Sequence, residues 1–302
     1  MSACKRAGAP TREPAPNSMP GAPALFGDPA QAAAYAAHRP SYPASLMRDL
    51  AAYASAGLGR PIEAAVDAAA GSGQAALALA AAVPGVRRIV ALDASPAQVA
   101  AATDAVAAAG KAATVAVVCA PAEDTGLPPS SADLVIVAQA LHWLDVPAFY
   151  REAARLLRPG GAVAVLSYSW PTVVAGEEGG RVMPASTAAL RAAAHEPPLG
   201  GLWDAGRALI DAGLPGLDPP GDLFEEVERR GGEGMRAATT ARGVAGYVRS
   251  WSAYARHRRE AGEAAAAAGD PADRVEAAVR GEAGGGGVGM EWPLLVMVGR
   301  RR

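Results

Sequence analysis

Between residues 61 and 168 the chain alternates short, continuously apolar runs with longer stretches of helical character. The segments PIEAAVDA (61–68), RRIVALD (87–93), ATVAVVCA (113–120), ADLVIVAQA (132–140) and AVAVLSY (162–168) lack a polar face. Such runs predict strands buried on both sides, the signature of a parallel sheet. Between them lie GQAALALAAAV (73–83), SPAQVAAATDAVAAAG (95–110) and DVPAFYREAARLLRPGG (145–161), which predict helices. Ser95 is placed to cap the second, with Pro96 in its first turn, and Gly110, Pro84-Gly85 and Pro159-Gly160-Gly161 are stop signals. The alternation predicts an α/β fold with right-handed crossovers and helices on both faces of the sheet.

Upstream, Asp28 and Pro29 open a helix that Arg39-Pro40 should end, and a second helix spans about 43–56, stopping at Gly57. After Tyr168 the alternation breaks. Residues 171–220 are Pro- and Gly-rich with short helical pieces. DLFEEVERR (222–230) alternates with period two and predicts a half-buried strand. ATTARGVAGYVRSWSAYARHRRE (238–260) predicts a helix or helix pair, EAGGGGVG (282–289) a flexible insert, and EWPLLVMVGRR (291–301) a last strand. Residues 1–24 lack periodicity and read as a disordered tail. The expectation is one domain over 25–302, with a ligand-binding half at about 60–168 and insertions at about 171–220 and 235–290.

Composition narrows the classes. The 302 residues suffice for a large core, and a formal net charge of −2 gives no drive toward nucleic acid. The basic HRRE cluster (257–260) lacks the interleaved aromatics of an RNA-binding stripe and reads as a solvated face. No apolar run approaches the roughly 20 residues of a membrane span. Cys4 and Cys119 are the only cysteines, so neither a disulfide framework nor a metal-ligand set is expected, and the compartment is read as reducing. Cytoplasmic localisation follows, with import by a short N-terminal peptide left open; the oligomeric state is unassigned.

The chemistry centres on VDAAAGSGQAALALA (66–80), a strand, a glycine turn and a helix. A dinucleotide loop spaced G-x-G-x-x-G would need glycine where Ala69, Gly71 and Gln74 stand. Asp67, at the end of the strand, would oppose a diphosphate but suits a ligand carrying positive groups. Asp93 ends the second strand, where a carboxylate can accept both hydroxyls of a ribose. Ala122, Glu123 and Asp124 follow the third strand, near where an adenine would lie. Acidic positions at three successive strand ends fit an adenosine with a cationic tail, although strand–turn–helix junctions also carry Gly and Asp for geometry alone.

On these residues, and on AAAYAAHRPSYP, IVALDASPAQV, PAEDTGLPPSSADLVIVAQALHWLD, FYREAARLLRPGGAVAVLSY, GYVRSWSAY and WPLLVMVGR, the chain resembles the class I S-adenosylmethionine-dependent methyltransferases. It is most similar to the small-molecule group that includes the trans-aconitate-methyltransferase-like enzymes. The resemblance implies a Rossmann-like seven-stranded sheet of order 3-2-1-4-5-7-6 with the last strand antiparallel. It implies S-adenosylmethionine as cofactor, with Asp67, Gly71 and Gly73 beside the methionine part, Asp93 on the ribose, Ala122 and Glu123 near the adenine, and Gln139 near the sulfonium. The family's Asp-x-Gly-x-Gly-x-Gly carries alanine here at position 69. If that position needs φ > 0, the alanine costs about 1 kcal/mol.

His142, after AQAL, either orients or deprotonates the acceptor, pairs with its carboxylate, or only braces the loop. Trp143 lines the pocket or packs the core. Tyr35 and Arg39 lie in the helix that closes over the cofactor in such enzymes. Arg39 binds a cofactor or substrate carboxylate there, or else the last carbonyls of its own helix. Arg249 and Trp251, two apart, do not share a helix face, so one of them at best reaches the pocket. The Asn-Pro-Pro-Tyr signature of nitrogen-methylating enzymes is replaced by Gln139-Ala140-Leu141-His142, which points to an oxygen acceptor, a carboxylate on a small molecule. The competing readings are a methyltransferase fold that binds without turnover and an NAD-dependent oxidoreductase.

Overall fold

The computed structural model describes residues 29–176, 180–267 and 269–302. The predicted N-terminal tail and the Asp28 cap lie outside them. The sheet contains eight strands among the described residues: β1 (Ala64–Ala68), β2 (Arg88–Asp93), β3 (Val115–Cys119), β4 (Ala132–Ala138), β5 (Leu157–Tyr168), β6 (Thr172–Ala175), β7 (Phe224–Thr239) and β8 (Val288–Arg301). Their order is β3-β2-β1-β4-β5-β8-β6, with β7 paired to β8. The first five are parallel, and β8 runs antiparallel to β5, β6 and β7. The expected order 3-2-1-4-5-7-6 holds, with β7 as its sixth strand and β8 as its seventh. The short β6 is an addition.

Period two divides the core. Ala65, Leu134, Ile136, Ala164 and Leu166 face one side with Met47, Leu50 and Leu79. Val66, Val135, Val137, Val163 and Val165 face the other with Phe149, Tyr150 and Leu156. The covering helices are α1 (Pro29–His38), α2 (Ala44–Leu58), α3 (Gln74–Ala82), α4 (Pro96–Ala108) and α5 (Val146–Leu156). Ser95 caps α4 and Asp145 caps α5, each accepting from the backbone N–H three residues on. α2 runs past Gly57 to Gly59, which takes φ 65°. Gly57 has another role: a Cβ there would lie 2.2 Å from the Gly160 carbonyl oxygen, so it lets α2 approach the start of β5. The helix predicted to reach Gly161 ends at Leu156, because Leu157 already pairs with Ala132 in the sheet.

The C-terminal half is more regular than its composition suggests. It adds α6 (Pro184–His195), α7 (Gly206–Asp211), α8 (Ala241–Arg249), α9 (Ser252–Ala267) and α10 (Pro271–Ala283). β7 extends the predicted strand to Thr239. The glycine run predicted as a flexible insert is the left-handed end of α10 at Gly284 and Gly285, and Val288 already belongs to β8. The scarce aromatics gather here. Trp170, Trp203, Trp251, Tyr247 and Trp292 form a chain of tilted and edge-on contacts with centroids 5.3–5.7 Å apart. At the opposite end of the sheet from the glycine loop, buried Asp133 accepts from Arg60, Arg158 and the backbone N–H groups of Glu63 and Ala64. Cys119 ends β3. Cys4, the other cysteine in the sequence, lies outside the described residues. No helix among the described residues is long and apolar enough to cross a membrane.

Candidate active site

The carboxyl ends of β1, β2, β4 and β5 open onto a cavity of about 310 Å³. That volume lies within the range of small-molecule sites, about 300–1,000 Å³. Its floor is the turn from β1 to α3. Gly71 takes φ 56° and Gly73 φ 87°, and Ala69 takes φ 53° where an L-residue is strained. The alanine therefore carries the backbone cost anticipated for position 69. Gly71 N–H donates to Asp93 Oδ2 at 2.9 Å and Ser95 N–H to Oδ1 at 2.8 Å, so the end of β2 braces the loop. Burial raises the Asp93 pKa, and these two bonds oppose it.

Gly71, Asp93, Glu123, Gln139, Tyr35, Arg39 and Trp143 all line this cavity. Glu123 Oε1 accepts from Asp145 N–H at 3.0 Å, tying the loop after β3 to the cap of α5. Gln139 takes φ 54° and bonds along the end of β5, its Nε2 donating to the Tyr168 carbonyl at 2.8 Å.

Other predicted residues lie elsewhere. Asp67 is 1% exposed and does not line the cavity. Its place in the strand turns it beneath α3, where Oδ2 accepts from Ala76 N–H at 2.9 Å. Burial pushes its pKa up to about 7, against the pull of that bond. Gly73 starts α3 behind the lining, against Ala102, and Ala122 is buried in the core behind Glu123. Arg249 ends α8 beside the N-terminus of α10. It pairs there with the capping Asp270 at 3.1 Å and with Asp273, away from the cavity. Trp251 is 1% exposed and packs in the aromatic chain. Neither residue of the Arg-Ser-Trp element lines the site, whereas Ser250 between them holds Arg39.

Arg39 is partly buried and held by neutral partners. Its Nε donates to Ser250 Oγ at 2.9 Å, Nη2 to the Ser250 carbonyl at 3.2 Å and Nη1 to Tyr168 Oη at 3.3 Å. The guanidinium lies 4.7 Å from the Tyr35 ring centroid and 5.2 Å from that of Tyr247. Among the described residues no carboxylate pairs with it.

A second cavity of about 60 Å³ adjoins the first and shares Tyr35, Arg39, Gln139 and Trp143 with it. His142 lines this smaller space, with Trp203, Asp204, Arg207 and Ser252. Burial, helped by the nearby Arg207 charge, lowers the His142 pKa to about 3, so the imidazole is neutral at physiological pH. Gly206 packs on its ring: a Cβ there would lie 2.6 Å from His142 Cδ2.

Several lining residues escaped the sequence reading. Tyr42 and Tyr168 line the main cavity, as do Gln74 and Gln98 on the first turns of α3 and α4. The two glutamines were discoverable: each is a lone amide in an alanine-rich helix, one turn past a strand end. Gln74 Nε2, Gln98 Oε1 and the nearby Asp67 Oδ1 are buried without a hydrogen-bond partner among the described residues. Such atoms are uncommon in native interiors, and a polar ligand in the cavity would answer the two lining ones. Among the described residues no cluster of His, Cys, Asp and Glu could hold a metal ion.

The comparisons agree with this geometry. The family described as "Methyltransferase domain" matches residues 66–165, from β1 into β5. A candidate methyltransferase of Dictyostelium discoideum is 38% identical over 104 residues, which are 34% of this chain and 36% of that protein. The match thus spans about a third of that relative. A solved structure of a candidate type II methyltransferase from Anaeromyxobacter dehalogenans is 30% identical, with a TM-score of 0.65. That likeness covers 87% of this chain and 97% of the other, so it includes the C-terminal half as well as the glycine loop. The chain belongs to the class I S-adenosylmethionine-dependent methyltransferases.

Proposed function

We propose that this protein methylates a carboxylate oxygen of a small acid, with S-adenosylmethionine in the main cavity and the acceptor at its junction with the smaller one. The observation that carries the reading is Arg39, a confined guanidinium with neutral partners at that junction. A partly buried cation whose partners are all neutral favours an anionic ligand.

The residues present fit the cofactor. Asp93 and Glu123 offer acceptors to hydroxyl and amino groups, and Gln74 Nε2 and Gln98 Oε1 offer a buried donor and acceptor. Asp67 acts from below, holding the first turn of α3 through Ala76 N–H and so the loop at the cationic end. When bound, S-adenosylmethionine supplies an electrophilic methyl: an acceptor oxygen lone pair forms the new C–O bond as the C–S bond breaks, its electrons leaving on sulfur. Gln139, Tyr35 and Trp143 narrow the junction and exclude water.

A carboxylate needs no base, and the site agrees. His142 with a pKa of about 3 is too weak a base to gain much from proton abstraction at neutral pH. It serves instead as a neutral hydrogen-bonding group that orients the acceptor. Arg249 and Trp251 have supporting roles, through α10 and the aromatic core respectively. Supplying methyl-labelled S-adenosylmethionine with a panel of small carboxylic acids tests the reading. Label in an alkali-labile methyl ester is the expected result. Cofactor binding without transfer to any acid would favour a binding protein that has lost turnover.

A further inference from the structure

The smaller cavity holds two buried polar atoms of opposite kind without partners among the described residues, Arg207 Nε and Asp204 Oδ1. Both side chains are otherwise held. Arg207 pairs with Asp211, and its guanidinium lies 3.7 Å from the Trp170 ring centroid. Ser252 Oγ approaches Asp204 Oδ2 at 3.5 Å. Gly206 leaves the wall open, since a Cβ there would come within 3.1 Å of Asp204 Oδ1 as well as meeting His142.

We infer that this cavity reads the non-reacting end of the acceptor, and that the acceptor is a small hydroxy acid. The inference rests on the carboxylate reading above and adds the acceptor's second functional group. A hydroxyl carries both the donor that Asp204 Oδ1 lacks and the acceptor that Arg207 Nε–H lacks. An ammonium donates but cannot accept, and it would face a guanidinium. A methyl or methylene leaves both atoms unpaired, and sites built to bond a hydroxyl reject analogues lacking it. Burial raises the Asp204 pKa, opposed by the backbone N–H groups of Asp204, Gly206 and Arg207 and by the Ser252 hydroxyl. About 60 Å³ has room for roughly four water-sized groups, so the hydroxyl end is short.

The test is calorimetric titration of the protein saturated with S-adenosylhomocysteine. The probes are lactate against propionate, malate against succinate, and alanine as the amino counterpart. The hydroxy acid of at least one pair should bind about tenfold or more tighter than its parent acid. Asp204→Ala should bring that pair within about twofold, its binding of S-adenosylhomocysteine showing that the variant is folded. Equal affinities within both pairs, a preference that survives Asp204→Ala, or tighter binding of alanine would each overturn the inference while leaving the carboxylate reading intact. Binding of S-adenosylhomocysteine with no acid bound at all would overturn both.

Discussion

Gly71 donates its backbone N–H to Asp93 Oδ2 at 2.9 Å, so the loop that leaves β1 is held by the carboxylate that ends β2. Asp93 is brace and cavity wall at once. Asp93→Asn sets an amide N–H against one of two backbone N–H donors. It should weaken S-adenosylhomocysteine binding by about tenfold or more, as loss of a charge-assisted bond of about 1.5–3 kcal/mol implies. Calorimetry on the folded variant reads this directly, and an unchanged affinity would remove Asp93 from the site.

Ala69 holds φ 53° in the same loop. Ala69→Gly relieves that strain, though it also frees the unfolded chain. The net expectation is a gain of about 1 kcal/mol in denaturant unfolding, with cofactor affinity kept. A loss of stability would mean that the left-handed conformation at 69 is not the one the loop adopts.

Asp133 is fully buried beneath two arginines and two backbone donors, and its pKa is lowered to about 2 despite burial. A depressed folded pKa contributes stability that is complete above the unfolded value, near 4. That contribution is lost as pH falls toward 2, and it amounts to about 2 kcal/mol. Asp133→Ala should cost about 3 kcal/mol at pH 7, since it strands buried donors and charges. The gap between variant and parent should narrow in acid, and a constant gap from pH 7 to pH 3 would contradict the account.

The parts legible in the sequence were those with local causes. Val66, Val90 and Val135 lie in runs apolar on both faces, and Ser95 with Pro96 spells a helix start, so the parallel half could be read residue by residue. The reversed β8 and its pairing with β7 came from the resemblance and not from periodicity. The site divides the same way. Asp93 and Glu123 stand at strand ends and were singled out on that ground, whereas Gln139 came from the resemblance. Arg249 was misplaced because its partner Asp270 caps a helix that the glycine-rich surroundings hid. Asp204, Arg207 and Ser252 come from segments whose contact with His142 depends on how the C-terminal half folds back. No spacing along the chain records that.

His142 stays neutral above about pH 3, burial being the main cause. The pH dependence of kcat with an acid acceptor should therefore show no inflection near 6.5, and His142→Gln should keep the rate within about tenfold. A limb near pH 6.5 that disappears in His142→Gln would make the histidine a base and the acceptor a hydroxyl.

The most direct test of the central claim, that the strand-end cavity holds an adenosine with a sulfonium-type tail, is thermal unfolding with S-adenosylmethionine, S-adenosylhomocysteine and NAD. At about 100 times Kd a ligand adds roughly 2.7 kcal/mol, which for a chain of this size raises Tm by roughly 5–10 °C. The account predicts that shift with both sulfur ligands, none with NAD, and a smaller shift in Asp93→Asn. A shift with NAD alone, or none with either sulfur ligand in folded protein, would contradict it.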